Sequence, residues 1–374
     1  MDYSVEDSAA SDQVGELIKQ GHHHLKTRNF IEARQLFEEG LILDPANISL
    51  LMGVAESARL QKEFTSAAVY YRRVLELDPE HLLALRGLGD AMRGLHQFEN
   101  AITTWIKIFD LKGEEDVFIL TRIADCYKAL DKVEDSIVYY VKTLSINSHN
   151  RYALIGLADL YHKHGEDALA IEYYEKALAS GVTLIKILTI VGNLYYRMRN
   201  YEKARHYYEK TLEQDPDNTY ALYGLGNYYR WKSDYRRAIQ LWEKVAVQHS
   251  GTVNMMARLG DAYRNTGLYT DAERAYKSNL ADGYHRYSLG GLIKLYVLQG
   301  RIVEACQTYD ELLRLEHNEE KNIFTEVGDL LIKRKECDMA RQFLRHVQER
   351  QSQNPAVCRI IEEKLRLLIK VQYN

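Results

Sequence analysis

The chain has 374 residues, of which 46% are apolar and 27% charged, with a formal net charge of −4 and a pI near 6.4. That balance suits a soluble, folded protein. The missing basic excess argues against a general nucleic-acid binder.

Residues 1–13 are acidic and polar, without the basic start and apolar run of a secretory leader, and predict a disordered tail. No run of 18 apolar residues occurs, so no membrane span is expected. Four cysteines, Cys126, Cys306, Cys337 and Cys358, lie far apart with no Cys-x-x-Cys pair. They indicate neither a disulfide framework nor a zinc site, and fit a reducing, cytoplasmic setting. Four prolines and many amphipathic runs favour an all-helical chain.

From residue 14 the chain repeats itself. The window from Ile185 shows the unit: one amphipathic run to Met198, a short turn at Arg199-Asn200, a second run from Tyr201 to Glu213, then Asp215-Pro216 as a stop. A small residue recurs in the second run at Ala33, Ala67, Ala101, Ser136, Ala170, Ala204, Ala238, Ala272, Ala305 and Ala340, at spacings of 33 to 35. Four positions later stands a large one: Phe37, Tyr71, Trp105, Tyr140, Tyr174, Tyr208, Trp242, Tyr276, Tyr309 and Leu344. Twelve positions before each small mark lies a second small residue, such as Ala55, Gly89, Gly192 or Gly226; in the ninth unit Ile293 replaces it. Helices approach closely only where facing side chains are small, and the large residues then fill the space beside the contact. One such unit cannot cover its own apolar face, so units must stack.

The pattern resembles the tetratricopeptide repeat family, whose Leu-Gly, Tyr, Ala, aromatic and Pro marks appear as Leu225-Gly226, Tyr229, Ala238 and Trp242, and as Val191-Gly192, Tyr195, Ala204, Tyr208 and Pro216. Repeats are assigned to 14–47, 48–81, 82–115, 117–150, 151–184, 185–218, 219–252, 253–285, 286–319 and 321–354. Repeats nine and ten depart most from the pattern. An extra residue near Lys112-Gly113-Glu114-Glu115 predicts a longer inter-repeat loop. The segment 355–374 reads as one capping helix with Val357, Ile361, Leu365 and Leu368 inward, and Leu367, Ile369 and Val371 off that stripe. The resemblance implies an all-α, right-handed superhelical solenoid of about ten hairpins plus that cap.

It also implies that first helices line a concave groove through the second, fifth, ninth, twelfth and thirteenth positions of each repeat. The ninth is acid or amide (Glu56, Asp90, Asp125, Asp159, Asn193, Asn227, Asp261). The twelfth is mostly basic (Arg59, Arg93, Lys128, His162, Tyr196, Arg230, Arg264). Residues three apart meet on one helix face, where they either neutralise each other or form a polar track for a peptide. In repeats six and seven the acids become amides and aromatics enter. Amides can pair with an extended backbone, and tyrosines are favoured at interfaces. The candidate groove residues are therefore Asn193, Tyr196, Tyr220, Tyr223, Asn227 and Arg230, with Asp90, Arg93, Asp125, Lys128, Asp159, Asp261 and Arg264 along the track.

Other motifs carry less. His22, His23 and His24 are adjacent, so they point apart on a helix and make a poor metal site. Gly87-Leu88-Gly89 and Gly224-Leu225-Gly226 follow no strand and lack a third glycine, so no nucleotide site is read. No matched acid–base pair or nucleophile motif is present. The sequence thus describes a non-catalytic, cofactor-free scaffold with a protein or peptide partner. A regulatory or homo-oligomeric subunit acting through the last helix or convex face is the alternative. A helical-repeat RNA binder is disfavoured, because acids at the ninth position repel phosphate.

Overall fold

In the computed structural model the chain is described over residues 3–248, 253–281, 283–316 and 322–372, and there it is all-α. Two compact units divide at Thr183–Leu184.

The first unit is a row of five hairpins: α1 (Tyr3–Lys26) with α2 (Phe30–Leu43), α3 (Ile48–Leu60) with α4 (Phe64–Leu77), α5 (Leu82–Gly94) with α6 (Phe98–Lys112), α7 (Val117–Ala129) with α8 (Val133–Ile146), and α9 (Arg151–Lys163) with α10 (Asp167–Ala179). The second holds α11 (Ile185–Arg197) with α12 (Tyr201–Gln214), α13 (Thr219–Trp231) with α14 (Tyr235–Gln248), α15 (Val253–Asn265) with α16 (Tyr269–Ala281), α17 (Arg286–Leu298) with α18 (Ile302–Leu315), α19 (Ile323–Lys333) with α20 (Cys337–Arg350), and then α21 (Pro355–Gln372). Within a unit each second helix generally packs on the next first helix. The exception is α18, which packs chiefly on α20, so repeats nine and ten depart from the pattern in their stacking as well as their sequence.

The turn inside each hairpin needs one left-handed residue, one place after a helix cap. Arg28, Lys62, His96, Asp131, Arg199, Ser233 and Lys335 adopt it with φ between 58° and 63°, and Gly165, Gly267 and Gly300 adopt it without a Cβ penalty. Between hairpins, Asp44-Pro45 and Asp215-Pro216 stop one helix and an asparagine starts the next. Asn218 accepts from the Ala221 amide at 3.1 Å and donates to Asp215 at 3.0 Å; Asn47 does the same with Leu50 and Asp44.

The core repeats one contact. Each large residue of a second helix is buried, as is each small mark four positions before it. The ring lies between two first helices. Tyr208 abuts Gly192 of its own hairpin, where a Cβ would come within 2.7 Å of the ring, and Gly224 of the next, where a Cβ would fall into the ring itself. Phe37 is held in the same way by Gly21 and Gly53, and Tyr276 by Gly260 and Gly291. In the ninth repeat Ile293 is fully buried at the small position, and Tyr309 remains buried beside it.

Two expectations change. The helix α1 begins at Tyr3, so the N-terminal segment is helical in its backbone and not an irregular tail. It has no proline or glycine before Gly15. The extra residue near Lys112 lengthens α6 to 15 residues and leaves the link at 113–116 no longer than its counterparts. Gly113 makes this possible: at φ 68° it closes the helix by donating to the Phe109 carbonyl at 2.8 Å. At the other end, Val357, Ile361 and Leu368 are buried and Leu365 is half-buried, while Leu367 and Ile369 are exposed. The tenth repeat's expected start, Lys321, and the side chain of Val371 lie outside the described residues.

Candidate functional site

The candidate residues sit on the first helices, at register positions the helices repeat. What the structure adds is the partner of each. In repeats two, four, five, six and eight the large residue of the second helix is a tyrosine whose hydroxyl reaches the ninth position of its own hairpin, fifteen residues earlier; in repeat nine that position is Lys294, and Tyr309 accepts from Gln351 at 2.7 Å. Tyr71 donates to Glu56 at 2.9 Å, Tyr174 to Asp159 at 2.5 Å, Tyr208 to Asn193 at 2.8 Å and Tyr276 to Asp261 at 2.7 Å; Tyr140 donates to Asp125. Burial holds these phenols above their ordinary pKa, which keeps them donors. The ninth-position regularity is therefore first a packing requirement: a buried hydroxyl needs an acceptor.

Where the large residue is tryptophan, no hydroxyl exists. The indole N–H of Trp105 donates to the Arg86 carbonyl at 3.3 Å and that of Trp242 to the Tyr223 carbonyl at 3.2 Å. The ninth position is then taken by an arginine from the next hairpin. Arg122 pairs with Asp90 at 2.6 Å, and Arg258 donates to Asn227 at 3.1 Å. Reading the sequence missed Arg122 and Arg258. The available signal was that each follows a repeat bearing tryptophan, at the sixth position where Gly53, Gly87, Gly156, Gly224 and Gly291 stand elsewhere.

The expected pairs three apart form only in part. Arg59 pairs with Glu56 at 2.5 Å, Arg264 with Asp261 at 2.9 Å and Lys128 with Asp125 at 3.8 Å. Asp90 turns instead to Arg122, with Arg59 at 3.9 Å, and Arg93 is half-buried beside it. Burial works to raise the Glu56 carboxyl, but Arg59 and the Tyr71 hydroxyl outweigh it and leave that group below the ordinary carboxylate range.

In repeats six and seven, α11 packs on α13 and brings the remaining candidates onto neighbouring helices. Tyr220 is 71% exposed, Asn193 and Arg230 are exposed, and Tyr196 and Tyr223 are half-buried. Asn227 is only 7% exposed, with its carbonyl oxygen held by Arg258. At the hairpin ends Tyr196 meets Tyr201 with ring centroids 5.1 Å apart, and Tyr201 meets the half-exposed Trp231 at 4.3 Å. The surface can offer exposed aromatic area, amide donors and guanidinium groups. In the first unit a groove lined by Met52, Glu56, Arg59, Leu83, Arg86 and Asp90 runs along α3 and α5. Among the described residues no group of three or more His, Cys, Asp or Glu is placed to hold a metal ion, and no helix is long and apolar enough to cross a membrane.

The sequence matches one tetratricopeptide repeat model over residues 18–81, 192–252 and 257–316, and another over 153–183, together more than half of the chain. No curated protein matches the chain in sequence. Among solved structures, it is similar to the C-terminal part of a TPR repeat-containing protein from Cytophaga hutchinsonii, at 21% identity and TM-score 0.51, over 63% of this chain and 97% of that one. It is also similar to pilF of Pseudomonas aeruginosa, at 18% identity and TM-score 0.46 over 60% and 99% of the two chains. A tetratricopeptide repeat protein from Parabacteroides merdae shares 15% identity at TM-score 0.44 over 77% and 98%.

Proposed function

Because the chain belongs to the tetratricopeptide repeat family, we propose that it is a non-catalytic scaffold that takes an extended peptide or protein segment across the first helices of repeats six and seven. One observation carries this reading. Tyr220, 71% exposed on the first turn of α13, stands on the same helix as exposed Arg230 and next to the helix that bears exposed Asn193. A tyrosine loses little side-chain entropy on docking and offers both apolar area and a hydroxyl. The amide of exposed Asn193 accepts the Tyr208 hydroxyl through its oxygen, and its nitrogen can donate to a peptide carbonyl. Four free cysteines support a reducing, cytoplasmic site of action as part of the same proposal.

The test is affinity purification with the full chain as bait, followed by mass spectrometry, repeated with Tyr220→Ala/Arg230→Ala. Both residues are exposed, so the fold should survive. Partners retained equally by the folded double variant would remove this site. Asn227 is the wrong residue to change for this purpose, because it is buried and holds Arg258.

A further inference from the structure

We propose that the face of repeats six to eight selects an acidic peptide, with side-chain carboxylates of the partner seated on Arg258 and Arg230. This rests on the groove reading above and names its partner's chemistry. The junction of repeats seven and eight differs from its equivalent at repeats three and four in the partner given to this arginine. Arg122 meets the carboxylate of Asp90 at 2.6 Å, whereas Arg258, in the same register, meets the neutral amide of Asn227 at 3.1 Å. Its guanidinium also stands 5.5 Å from the centroid of the Tyr223 ring. Among the described residues no carboxylate lies within ion-pair distance of Arg258. The guanidinium is thus oriented by an amide and a ring, and its charge is left for a ligand.

The wider register agrees. Beside Arg258, the groove-side positions of repeats six to eight carry Lys186, Arg230 and Arg264 against the single acid Asp261, which pairs with Arg264, in a chain whose net charge is −4. In repeats two to four Arg59, Arg86, Arg122 and Lys128 pair with Glu56, Asp116, Asp90 and Asp125, and Arg93 adds one further cation. A fixed guanidinium binds a carboxylate through two parallel N–H donors, more strongly than a neutral acceptor. Tyr220 and Tyr223 supply the apolar contact beside it. The cationic run is short: in repeat nine Lys294 is already paired with Glu326. A short acidic segment matches that length better than a polyphosphate backbone, which the chain's negative charge would repel.

Random peptides displayed on phage would be selected against the full chain, and the recovered peptides titrated against the wild type, Asn227→Asp and Tyr220→Ala. Asn227→Asp recreates the Asp90–Arg122 arrangement, so it should fold and neutralise Arg258 in place. Exposed Arg230→Gln is the second variant should it not fold. The expected result is enrichment of Asp and Glu, binding that weakens with salt, and a loss of about tenfold or more in Asn227→Asp and in peptides whose acids are changed to amides. Peptides that require Tyr220 but show no acid enrichment and bind Asn227→Asp equally would overturn the acidic preference and leave the groove standing. Peptides indifferent to both substitutions would remove the groove reading and this one together. A single-stranded RNA oligonucleotide that binds more tightly than the selected peptides, and is lost in Asn227→Asp, would assign the face to nucleic acid and overturn the proposal.

Discussion

Tyr276 donates its hydroxyl to Asp261 at 2.7 Å across its own hairpin, and Asp261 also accepts from Arg264 at 2.9 Å. The bond joins the fully buried ring that fills a hairpin contact to a half-buried polar residue at the ninth position of the first helix. Packing and surface chemistry are therefore coupled: the ninth-position acid is fixed by the ring that closes the core.

That coupling predicts a modest but measurable cost for Tyr276→Phe. The ring and its packing stay, while a hydrogen bond to a charged acceptor is lost, worth about 1.5–3 kcal/mol. Asp261 keeps Arg264 and some solvent, so the lower end is expected. Tyr276→Ala also empties the ring site and should cost about 3–5 kcal/mol. Urea denaturation of Tyr276→Phe, Asp261→Ala and the double variant would check it. Additive effects would show that the pair is not coupled.

Packed and open helical glycines predict opposite outcomes for the same substitution. Gly192→Ala places a methyl group 2.7 Å from the Tyr208 ring, and Gly53→Ala places one 2.6 Å from that of Phe37. Both rings are fully buried and cannot retreat, so each variant should lose about 1–3 kcal/mol. Gly15→Ala, in α1 with nothing within 4 Å, should instead gain up to about 1 kcal/mol from helix propensity. Thermal midpoints of the three variants give the comparison directly.

Much of the fold was legible because every hairpin makes the same contact, so small and large residues return at one register from Ala33–Phe37 to Ala340–Leu344. The buried stripe of α21 was legible for the same reason, since helical spacing alone puts Val357, Ile361 and Leu368 on one side. The candidate site was less legible. Whether Asp90 turns to Arg93 or to Arg122 depends on whether the neighbouring ring carries a hydroxyl, a contact across hairpins that local spacing does not report. Asn227 looked like a free amide because position nine reads as a surface position, yet it is buried and accepts from Arg258. Repeat spacing alone puts the extra residue near Lys112 in a loop, whereas Gly113 lets the helix itself take it up.

Acid should loosen the eighth and ninth repeats through Glu273. Burial works to raise its carboxyl. Hydrogen bonds from Lys277 at 2.7 Å, Arg301 at 2.9 Å and the Tyr296 hydroxyl at 3.1 Å outweigh that and hold it at about 2. A carboxyl depressed in the folded state contributes stability that is fully present above the ordinary carboxylate range. That stability is lost as the pH falls from that range towards about 2. The wild type should therefore lose stability over this window more steeply than Glu273→Gln, which already lacks the charge at pH 7. Parallel slopes for the two proteins in acid unfolding would refute the assignment.

The last helix should control how the array ends. Ile361 of α21 is fully buried against the final hairpin, and Lys364 is 8% exposed, its stem beside Gly328 and its ammonium on Asp329. These two residues predict different costs. Lys364→Met keeps the stem in place and frees an aspartate that is already well exposed, so it should cost less than about 1 kcal/mol. Ile361→Asp puts an unpaired charge into the core and should cost several kcal/mol. In a stacked array that cost falls first on the nearest neighbours. Hydrogen exchange should then show α19 and α20 losing protection at denaturant concentrations where α11 to α14 remain protected. Uniform loss across the second unit would mean that its hairpins unfold as one block, and that α21 is not a local cap.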